Sequence, residues 1–249
     1  MELLRNKLDN FFSDLAYHHE NAMKNLENKL NNFFNELSFR AELFKQTKKQ
    51  ADRYLSSDFN VFDLIWPDEN KLSDIIADIL NTEGTHGQKE VFVEIFVAFL
   101  KEKGLAFDND NFEVKREYCC DGKIDILLSG KKFAIIIENK PFADDQKDQI
   151  KRYKDCISKS FGERTAVIYL NKNKNNPTPY SIPEDELNNL IEEKRFATVS
   201  YYEFSKFLKL CYQKCESQKF RYFLADFIDY IENNFEKEEV NDNDKDERI

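Results

Sequence analysis

Charged residues inside two predicted strands are the feature that most restricts how this chain can fold. The strands are two apolar segments in the middle of the chain. Residues 123–128 (KIDILL) and 133–138 (FAIIIE) have the composition of strands, and the intervening SGKK is typical of a turn. Asp125, Glu138 and Lys140 interrupt this pattern, although a core strand rarely carries charge. Because an unpaired buried charge is costly, these side chains need a partner or a chemical role.

The register of the predicted hairpin indicates that the three charges share one face of the sheet. A tight turn at Gly130-Lys131 pairs Leu128 with Phe133 and therefore Asp125 with Ile136. Side chains alternate between the faces of a strand, so Glu138 and Lys140 lie on the face that carries Asp125. The two carboxylates become diagonal neighbours, roughly 7–8 Å apart, which is close enough for both to reach one ion. The opposite face is predicted to be apolar and to carry Ile124, Ile126, Leu128, Ile135 and Ile137.

The N-terminal region contains an internal repeat. Residues 6–15 (NKLDNFFSDL) recur 22 positions later as residues 28–37 (NKLNNFFNEL), and the apolar residues of both copies follow helical spacing. Since this interval is close to six helical turns, both copies can contribute to one stripe of a long helix. We interpret the region as one long helix or a helical hairpin, packed on the core or on a second copy in a homodimer.

The rest of the chain predicts an α/β fold, a mixed central sheet in the order α-β-β-β-α-β flanked by helices. Helices are predicted at residues 68–80, 88–103, 144–160, 184–194, 201–212 and 219–233. Strands are predicted at residues 112–118, 123–128, 133–138, 165–170 and 196–200. The resulting domains are a helical region at 1–57, an α/β domain at 58–235 and an acidic tail at 236–249.

Charge and cysteine content restrict partners and location. The tail holds seven acidic and three basic residues, so we expect it to be disordered. Because it contributes to the net charge of −10, charge argues neither for nor against a nucleic-acid partner. The five cysteines lack metal-binding spacing and are expected to be core thiols of a cytoplasmic protein. No apolar run approaches the ~20 residues of a membrane span.

Two converging carboxylates and a lysine suit metal-assisted hydrolysis of phosphodiesters. Mg²⁺ accepts one or two protein carboxylates and keeps water and phosphate oxygens as its other ligands. Lys140 would stabilise the negative charge that develops on the phosphate. A simpler alternative is that Asp125, Glu138 and Lys140 form a salt bridge on a surface hairpin. Zinc is disfavoured because His86 is the only histidine near the predicted core.

At these residues the chain resembles the PD-(D/E)XK nuclease superfamily and, within it, a bacterial subgroup. Asp125 followed by Glu138-Asn139-Lys140 is similar to the D…(D/E)-x-K signature of that superfamily. Further similar positions are Glu69, Ser73, His86-Gly87-Gln88, 122–126, Asp145, Gln146, Gln149 and Tyr153. The resemblance covers residues 68–170 and implies a restriction-endonuclease-like core, to which the N-terminal helical region is an extension.

The resemblance also implies a set of metal ligands. Asp125 and Glu138 would bind Mg²⁺, which Mn²⁺ can replace, together with the backbone carbonyl of Asn139. Glu69 would be an additional acid near the ion. An acid at a helix start is also favoured by the helix dipole alone, and that reading of Glu69 stays open.

Catalytic roles follow from the same resemblance. Lys140 would position the attacking water or stabilise the phosphate, and Gln149 with Tyr153 would orient the site or contact the substrate. The implied activity is that of a metal-dependent endonuclease acting on DNA, in a bacterial defence or repair setting. The alternative is a catalytically silent module with the nuclease fold that binds nucleic acid or a protein partner.

Overall fold

A single helix, α1 (Glu2–Leu55), forms the described part of the N-terminal unit, so both copies of the repeat lie on one helix and not on a hairpin. Ion pairs one helical turn apart support it, such as Lys24 with Glu20 at 2.7 Å. The computed structural model describes residues 2–106 and 111–235, and the chain divides into two units, Met1–Phe59 and Asn60–Ile249. The predicted domain limits stay predictions, and the predicted tail lies outside the described residues.

The second unit contains, within its described residues, a five-stranded mixed sheet flanked by helices. Its helices are α2 (Val61–Ile65), α3 (Glu69–Leu80), α4 (Val91–Glu102), α5 (Gln149–Phe161), α6 (Glu184–Glu192), α7 (Tyr201–Lys214) and α8 (Gln218–Asn234). Its strands are β1 (Glu113–Cys119), β2 (Lys123–Ser129), β3 (Ala134–Lys140), β4 (Thr165–Asn171) and β5 (Phe196–Ser200). None of the described helices combines the length and the apolar character that a membrane span requires.

The strands lie in the order β1-β2-β3-β4-β5. β1, β2 and β3 pair antiparallel, whereas β3, β4 and β5 pair parallel. Parallel neighbours need a crossover connection, which α5 provides between β3 and β4. The predicted α/β class and the α-β-β-β-α-β order are therefore confirmed, and β3 lies at the centre of the sheet.

The register of the β2–β3 hairpin differs from the predicted one by two residues. Leu127, and not Asp125, pairs with Ile136. The cause is a longer turn over residues 130–133, closed by a hydrogen bond of 2.9 Å from the amide of its first residue to the carbonyl of its last. Because the shift is even, Asp125, Glu138 and Lys140 keep their predicted common face. Continued by one pair, the observed register puts Asp125 directly opposite Glu138 rather than diagonal to it.

Both faces of the sheet are packed, although one face was predicted to be apolar and the other to carry the charges. The larger cluster holds Ile126, Leu128, Ile135 and Ile137 together with residues of α3, α4, α7 and α8. The second cluster holds Ile124, Leu127, Ala134 and Ile136 together with residues of α5 and α6. The prediction that Ile124 packs with Ile126 is therefore wrong: Ile124 pairs with Tyr118 near the start of β2, and both side chains pack on the second cluster. The charged residues thus occupy one end of a face whose remainder is covered by α5 and α6.

A disulfide between Cys120 and Cys156 contradicts the expectation that all five cysteines are thiols. It joins the residue after β1 to α5, two elements whose Cα atoms approach to 6.0 Å at this point, within the range that a disulfide can bridge. The two residues are 36 positions apart, so their spacing in the sequence carries no signal of the contact. Cys211 and Cys215 are buried thiols, as predicted, and Cys119 is an exposed thiol.

Candidate active site

The carboxyl end of β3 places three consecutive polar residues inside the protein. Glu138, Asn139 and Lys140 are all buried, because β3 has a strand on each side and helices over both faces. The parallel neighbour β4 runs beside these residues, with Glu138 opposite Tyr169. Sites for ligands in sheets with parallel strands lie at the carboxyl ends of those strands. This end of β3 is therefore the candidate active site.

Glu138 is the most deeply buried acid of the site, with 1% of its surface exposed. The Nζ atom of Lys140 lies 3.0 Å from Glu138 Oε1, yet neither carboxylate oxygen accepts a hydrogen bond of normal geometry from the described residues. Burial, and then the negative charge of Asp125, raises the pKa of Glu138 to about 8. A buried carboxylate with unused lone pairs is unfavourable unless a further cation or a proton satisfies it.

Asp125 lies on β2, across from Glu138. Its Oδ2 atom accepts a hydrogen bond of 2.8 Å from the backbone amide of Asn139, which holds the carboxylate against β3. Burial raises the pKa of Asp125, while this hydrogen bond and the charge of Lys140 oppose the shift. The guanidinium of Arg116 donates to the backbone carbonyl of Asp125 and so anchors β2 at this point.

Glu69, the first residue of α3, also reaches the site. Its Oε1 atom lies 3.6 Å from Lys140 Nζ. Burial raises the pKa of Glu69, whereas the charge of Lys140 lowers it. The N-cap of this helix is Asp68, whose side chain accepts a hydrogen bond from the amide of Lys71 at 2.8 Å. Asp68 therefore caps the helix, and Glu69 is left to face Lys140.

The side-chain amide of Asn139 is held by a buried polar network. Its Nδ2 donates to Ser73 Oγ at 2.8 Å and to the backbone carbonyl of Glu69 at 3.3 Å. Its Oδ1 accepts a hydrogen bond of 2.8 Å from the hydroxyl of Tyr201. This network fixes β3 to α3 and α7, and the metal-binding role predicted for the backbone carbonyl of Asn139 stays a prediction. Sequence reasoning missed Tyr201, because nothing in its helical pattern points to β3.

We expect Tyr201→Phe to lower the free energy of unfolding by about 1–3 kcal/mol, because it leaves a buried amide oxygen of Asn139 without its donor. Denaturant unfolding measures the loss. The matched control is Tyr230→Phe, which removes a hydroxyl from another largely buried tyrosine that forms no side-chain hydrogen bond to the described residues. Equal losses in the two variants would contradict a positioning role for Tyr201.

Gln149 and Tyr153 lie on α5, which packs against the hairpin. The hydroxyl of Tyr153 donates to the backbone carbonyl of Lys123 at 2.8 Å, and burial raises its pKa. Gly122 has a φ of +132°, and a Cβ atom there would lie 2.8 Å from the Tyr153 ring. Gln149 is buried, and its side-chain oxygen accepts a hydrogen bond of 3.4 Å from the amide of Gln146. The catalytic roles predicted for Gln149 and Tyr153 stay predictions.

The predicted helix at 144–160 begins five residues later than expected, so Asp145 and Gln146 do not lie on it. Asp148, the residue before α5, has a φ of +53°, which interrupts the helical path. Asp145 Oδ1 accepts a hydrogen bond from the Tyr169 hydroxyl at 2.8 Å, and Oδ2 accepts two from Thr178. Both oxygens of Asp145 therefore hold the loop before α5.

His86 and Gln88 shape the loop before α4. Nδ1 of His86 accepts a hydrogen bond of 3.0 Å from the Gln88 amide, so Nε2 carries the proton and donates to the Asn81 carbonyl at 2.9 Å. The side-chain oxygen of Gln88 accepts a hydrogen bond of 2.9 Å from the amide of Glu216. These contacts are structural, and they occupy both ring nitrogens of His86.

The residues at the end of β3 fit a hard divalent cation. Among the described residues, no group of three or more His, Cys, Asp or Glu side chains is placed to hold a metal ion by itself. Mg²⁺ does not require such a group, because one or two carboxylates together with water and phosphate oxygens complete its coordination. The oxygens of Glu138, opposite Asp125 and without a hydrogen bond of normal geometry from the described residues, supply the ligand type that such an ion prefers.

Comparison with known proteins gives one match. Searches of curated proteins and of solved structures found no significant similarity. The model of a protein family described as the PD-(D/E)XK nuclease superfamily matches residues 59–242, which are 184 of the 249 residues and include every residue of the candidate site. The mixed sheet with its flanking helices agrees with the restriction-endonuclease-like fold of that group. The chain belongs to the PD-(D/E)XK nuclease superfamily.

Proposed function

We propose that the protein is a metal-dependent nuclease that hydrolyses phosphodiester bonds in DNA, with Mg²⁺ as its cofactor and Mn²⁺ as a substitute. The observation that carries the proposal is the buried carboxylate of Glu138. It lies 3.0 Å from the ammonium of Lys140, yet its oxygens accept no hydrogen bond of normal geometry from the described residues. A plain structural salt bridge does not leave a buried carboxylate in this state. Membership of a superfamily whose members are generally nucleases supports the proposal.

The cation would be held by Asp125, Glu138 and the backbone carbonyl of Asn139, with Glu69 as an additional acid. When bound, a divalent cation supplies an activated water and polarises the phosphate oxygens. Asp125 keeps its orientation through the hydrogen bond from the Asn139 amide. Glu138 receives the positive charge that its burial requires, which keeps it ionised at neutral pH.

Lys140 would stabilise the negative charge on the phosphate in the transition state. Burial alone would lower its pKa, but the charges of Glu138 and Glu69 outweigh burial and hold the pKa above its usual value. The side chain therefore stays protonated and presents a positive charge inside the site. Gln149 and Tyr153 would form the α5 wall of the site, and we propose that they orient the substrate.

A catalytically silent module that binds nucleic acid or a protein is the second candidate. The observation that favours it is that cations on β1 and α5, two elements that flank the hairpin, already have partners. Arg116 pairs with Asp74 at 3.0 Å, and Lys151 pairs with Glu186. Such pairs leave less positive charge for the phosphates of a long nucleic acid.

The active domain, the oligomeric state and the location of the protein are also part of the proposed function. We propose that residues 58–235 carry it, and that the chain is a homodimer through the N-terminal helix. A cytoplasmic location and a bacterial defence or repair role, both inferred from the sequence, stay predictions.

A divalent-metal panel tests the proposed function. The full chain is incubated with single- and double-stranded DNA and RNA, in Mg²⁺, in Mn²⁺ and in EDTA. We expect DNA cleavage in both metal ions and none in EDTA, because the carboxylates of the site need the cation to act. DNA binding at low salt without cleavage in either ion would favour the silent module, and cleavage that persists in EDTA would contradict the metal-dependent site.

A further inference from the structure

Most apolar residues of α1 follow an 11-residue repeat, of which the 22-residue sequence repeat is two units. Within each unit they occupy the first, fourth, fifth and eighth positions. The units are Leu8, Phe11, Phe12 and Leu15, then Ala22, Met23 and Leu26 with His19 at the first position, then Leu30, Phe33, Phe34 and Leu37. Leu4 precedes them, and Ala41 with Phe44 continues them. We call the residues from Leu4 to Phe44 at these positions the α1 stripe.

The repeat length indicates what kind of helix pair the α1 stripe can form. Each residue turns an α-helix by about 100°, so the four positions of a unit lie within an arc of roughly 100°. Eleven residues make about three turns, and the arc drifts by only ~20° from one unit to the next. A slight right-handed supercoil removes that drift and keeps the stripe in contact with a partner helix over its whole length.

The α1 stripe is large and exposed. Phe11 is 61% exposed, Leu26 51% and Phe33 59%. From Leu4 to Phe44 the stripe is about 60 Å long on a helix roughly 10–12 Å across, which offers on the order of 700 Å². That area approaches the ~800 Å² that each partner buries in a standard protein interface, and it exceeds what single exposed side chains explain.

Charged residues divide between the two edges of the α1 stripe. The residues directly after the first position of each unit are Asp9, Glu20, Asn31 and Glu42. The residues directly before that position are Lys7, His18, Lys29 and Arg40. At about 100° per residue these two sets lie on opposite edges, so the first edge carries three carboxylates and the second carries three cations and a histidine. Two of these charges also pair within α1, Glu20 with Lys24 and Arg40 with Glu36, so the edges differ in sign without being purely acidic or purely basic.

This division of charge selects the orientation of a second helix. In a parallel pair the two-fold axis runs along the helices, and the acidic edge of each helix faces the basic edge of the other. In an antiparallel pair the axis crosses the helices, and each edge faces its own copy, so acid meets acid and base meets base. Charges on the flanks of a coiled coil determine partner and orientation, and here they favour the parallel pair.

We propose that the α1 stripe forms a parallel, in-register coiled coil with a second copy of this chain. A second copy carries the same stripe with the same edges, and only the in-register pairing brings every unit from Leu4 to Phe44 against a partner unit. The inference rests on the homodimer proposed above and is independent of the nuclease activity, which the cleavage panel measures separately.

Light scattering of the full chain tests the partner. At about 10 μM we expect twice the 29.6 kDa chain mass, and we expect Phe33→Glu to give the single-chain mass because it places charge in the α1 stripe. The matched control is Phe39→Glu, the same substitution at an exposed phenylalanine on the opposite side of α1, and it should stay dimeric. A wild-type monomer, or a dimer that Phe33→Glu leaves intact, would overturn the proposal.

Energy transfer between labelled N-termini tests the orientation. Chains labelled with a donor are mixed with chains labelled with an acceptor and allowed to exchange. In the parallel pair the two labels are about one helix diameter apart, so transfer is nearly complete. In an antiparallel pair they are separated by up to the length of α1, about 80 Å, and transfer is weak. Weak transfer in a sample that light scattering shows to be dimeric would refute the parallel orientation but not the dimer.

Discussion

Lys140→Ala and Glu138→Gln are each expected to lower Mg²⁺-dependent DNA cleavage by roughly 10²–10³-fold or more. The first variant removes the positive charge that would stabilise the phosphate, and the second removes a ligand charge from the cation site. Initial rates on a labelled DNA substrate measure the effect. Glu138→Gln preserves the shape of the side chain, so its loss of rate reports on charge and not on packing.

The matched control for the lysine is Lys159→Ala, which removes an exposed ammonium from the last turn of α5. We expect it to keep the wild-type rate. Thermal unfolding of all three variants separates inactivity from misfolding, since Lys140→Ala leaves buried acids without their cation. Unchanged cleavage in folded Lys140→Ala or Glu138→Gln would remove the candidate site from consideration.

The metal-free protein is expected to become less stable as the pH rises from about 4.5 to about 8, because the side chain of Glu138 loses its proton. Burial raises the pKa of Glu138 to about 8, so the folded state holds this proton more tightly than the unfolded state does. The contribution of the protonated Glu138 to stability is complete below the pKa that this group has in the unfolded chain. It is lost as the pH rises through the pKa that the group has in the folded protein. Above pH 8 the folded protein contains a buried charge that only Lys140 compensates.

Glu138→Gln removes this ionisation. We expect the variant to exceed the wild type in free energy of unfolding by about 1–3 kcal/mol at pH 8.5 in EDTA, and to match it near pH 4.5. Denaturant unfolding across this pH range measures the difference, with the exposed Glu184→Gln as a control. Added Mg²⁺ should stabilise the wild type and not Glu138→Gln. A constant difference between the two proteins at all pH values would show that Glu138 does not titrate in this range.

The common face of the three charged residues could be predicted from the sequence. Side chains alternate along a strand, so an error of two residues in the pairing register does not change the face on which they lie. The predicted turn was too short and shifted the hairpin by two residues, yet Asp125, Glu138 and Lys140 kept their common face. An odd error would have moved one strand's charges to the opposite face. The alternation of side chains along each strand was therefore enough to predict which face carries the charges. The length of the turn, which determines which residues pair, could be read only from the structure.

Contacts between distant parts of the chain could not be predicted. The hydrogen bond from Tyr201 to Asn139 spans 62 positions, and the disulfide from Cys120 to Cys156 spans 36. The late start of α5 has the same origin, since the loop before it is held by bonds from Tyr169 and Thr178 to Asp145. In each case a tertiary partner, and not local propensity, determines the conformation.

The bond between Cys120 and Cys156 makes a closed ring of the chain between them. Asp125, Glu138, Lys140 and Tyr153 all lie within that ring, whereas Glu69 lies outside it. A single cut of the backbone inside the ring leaves the two products covalently joined. Even in the fully unfolded chain, the ring limits how far the two carboxylates and the lysine can separate, because a closed loop has fewer extended conformations than an open one.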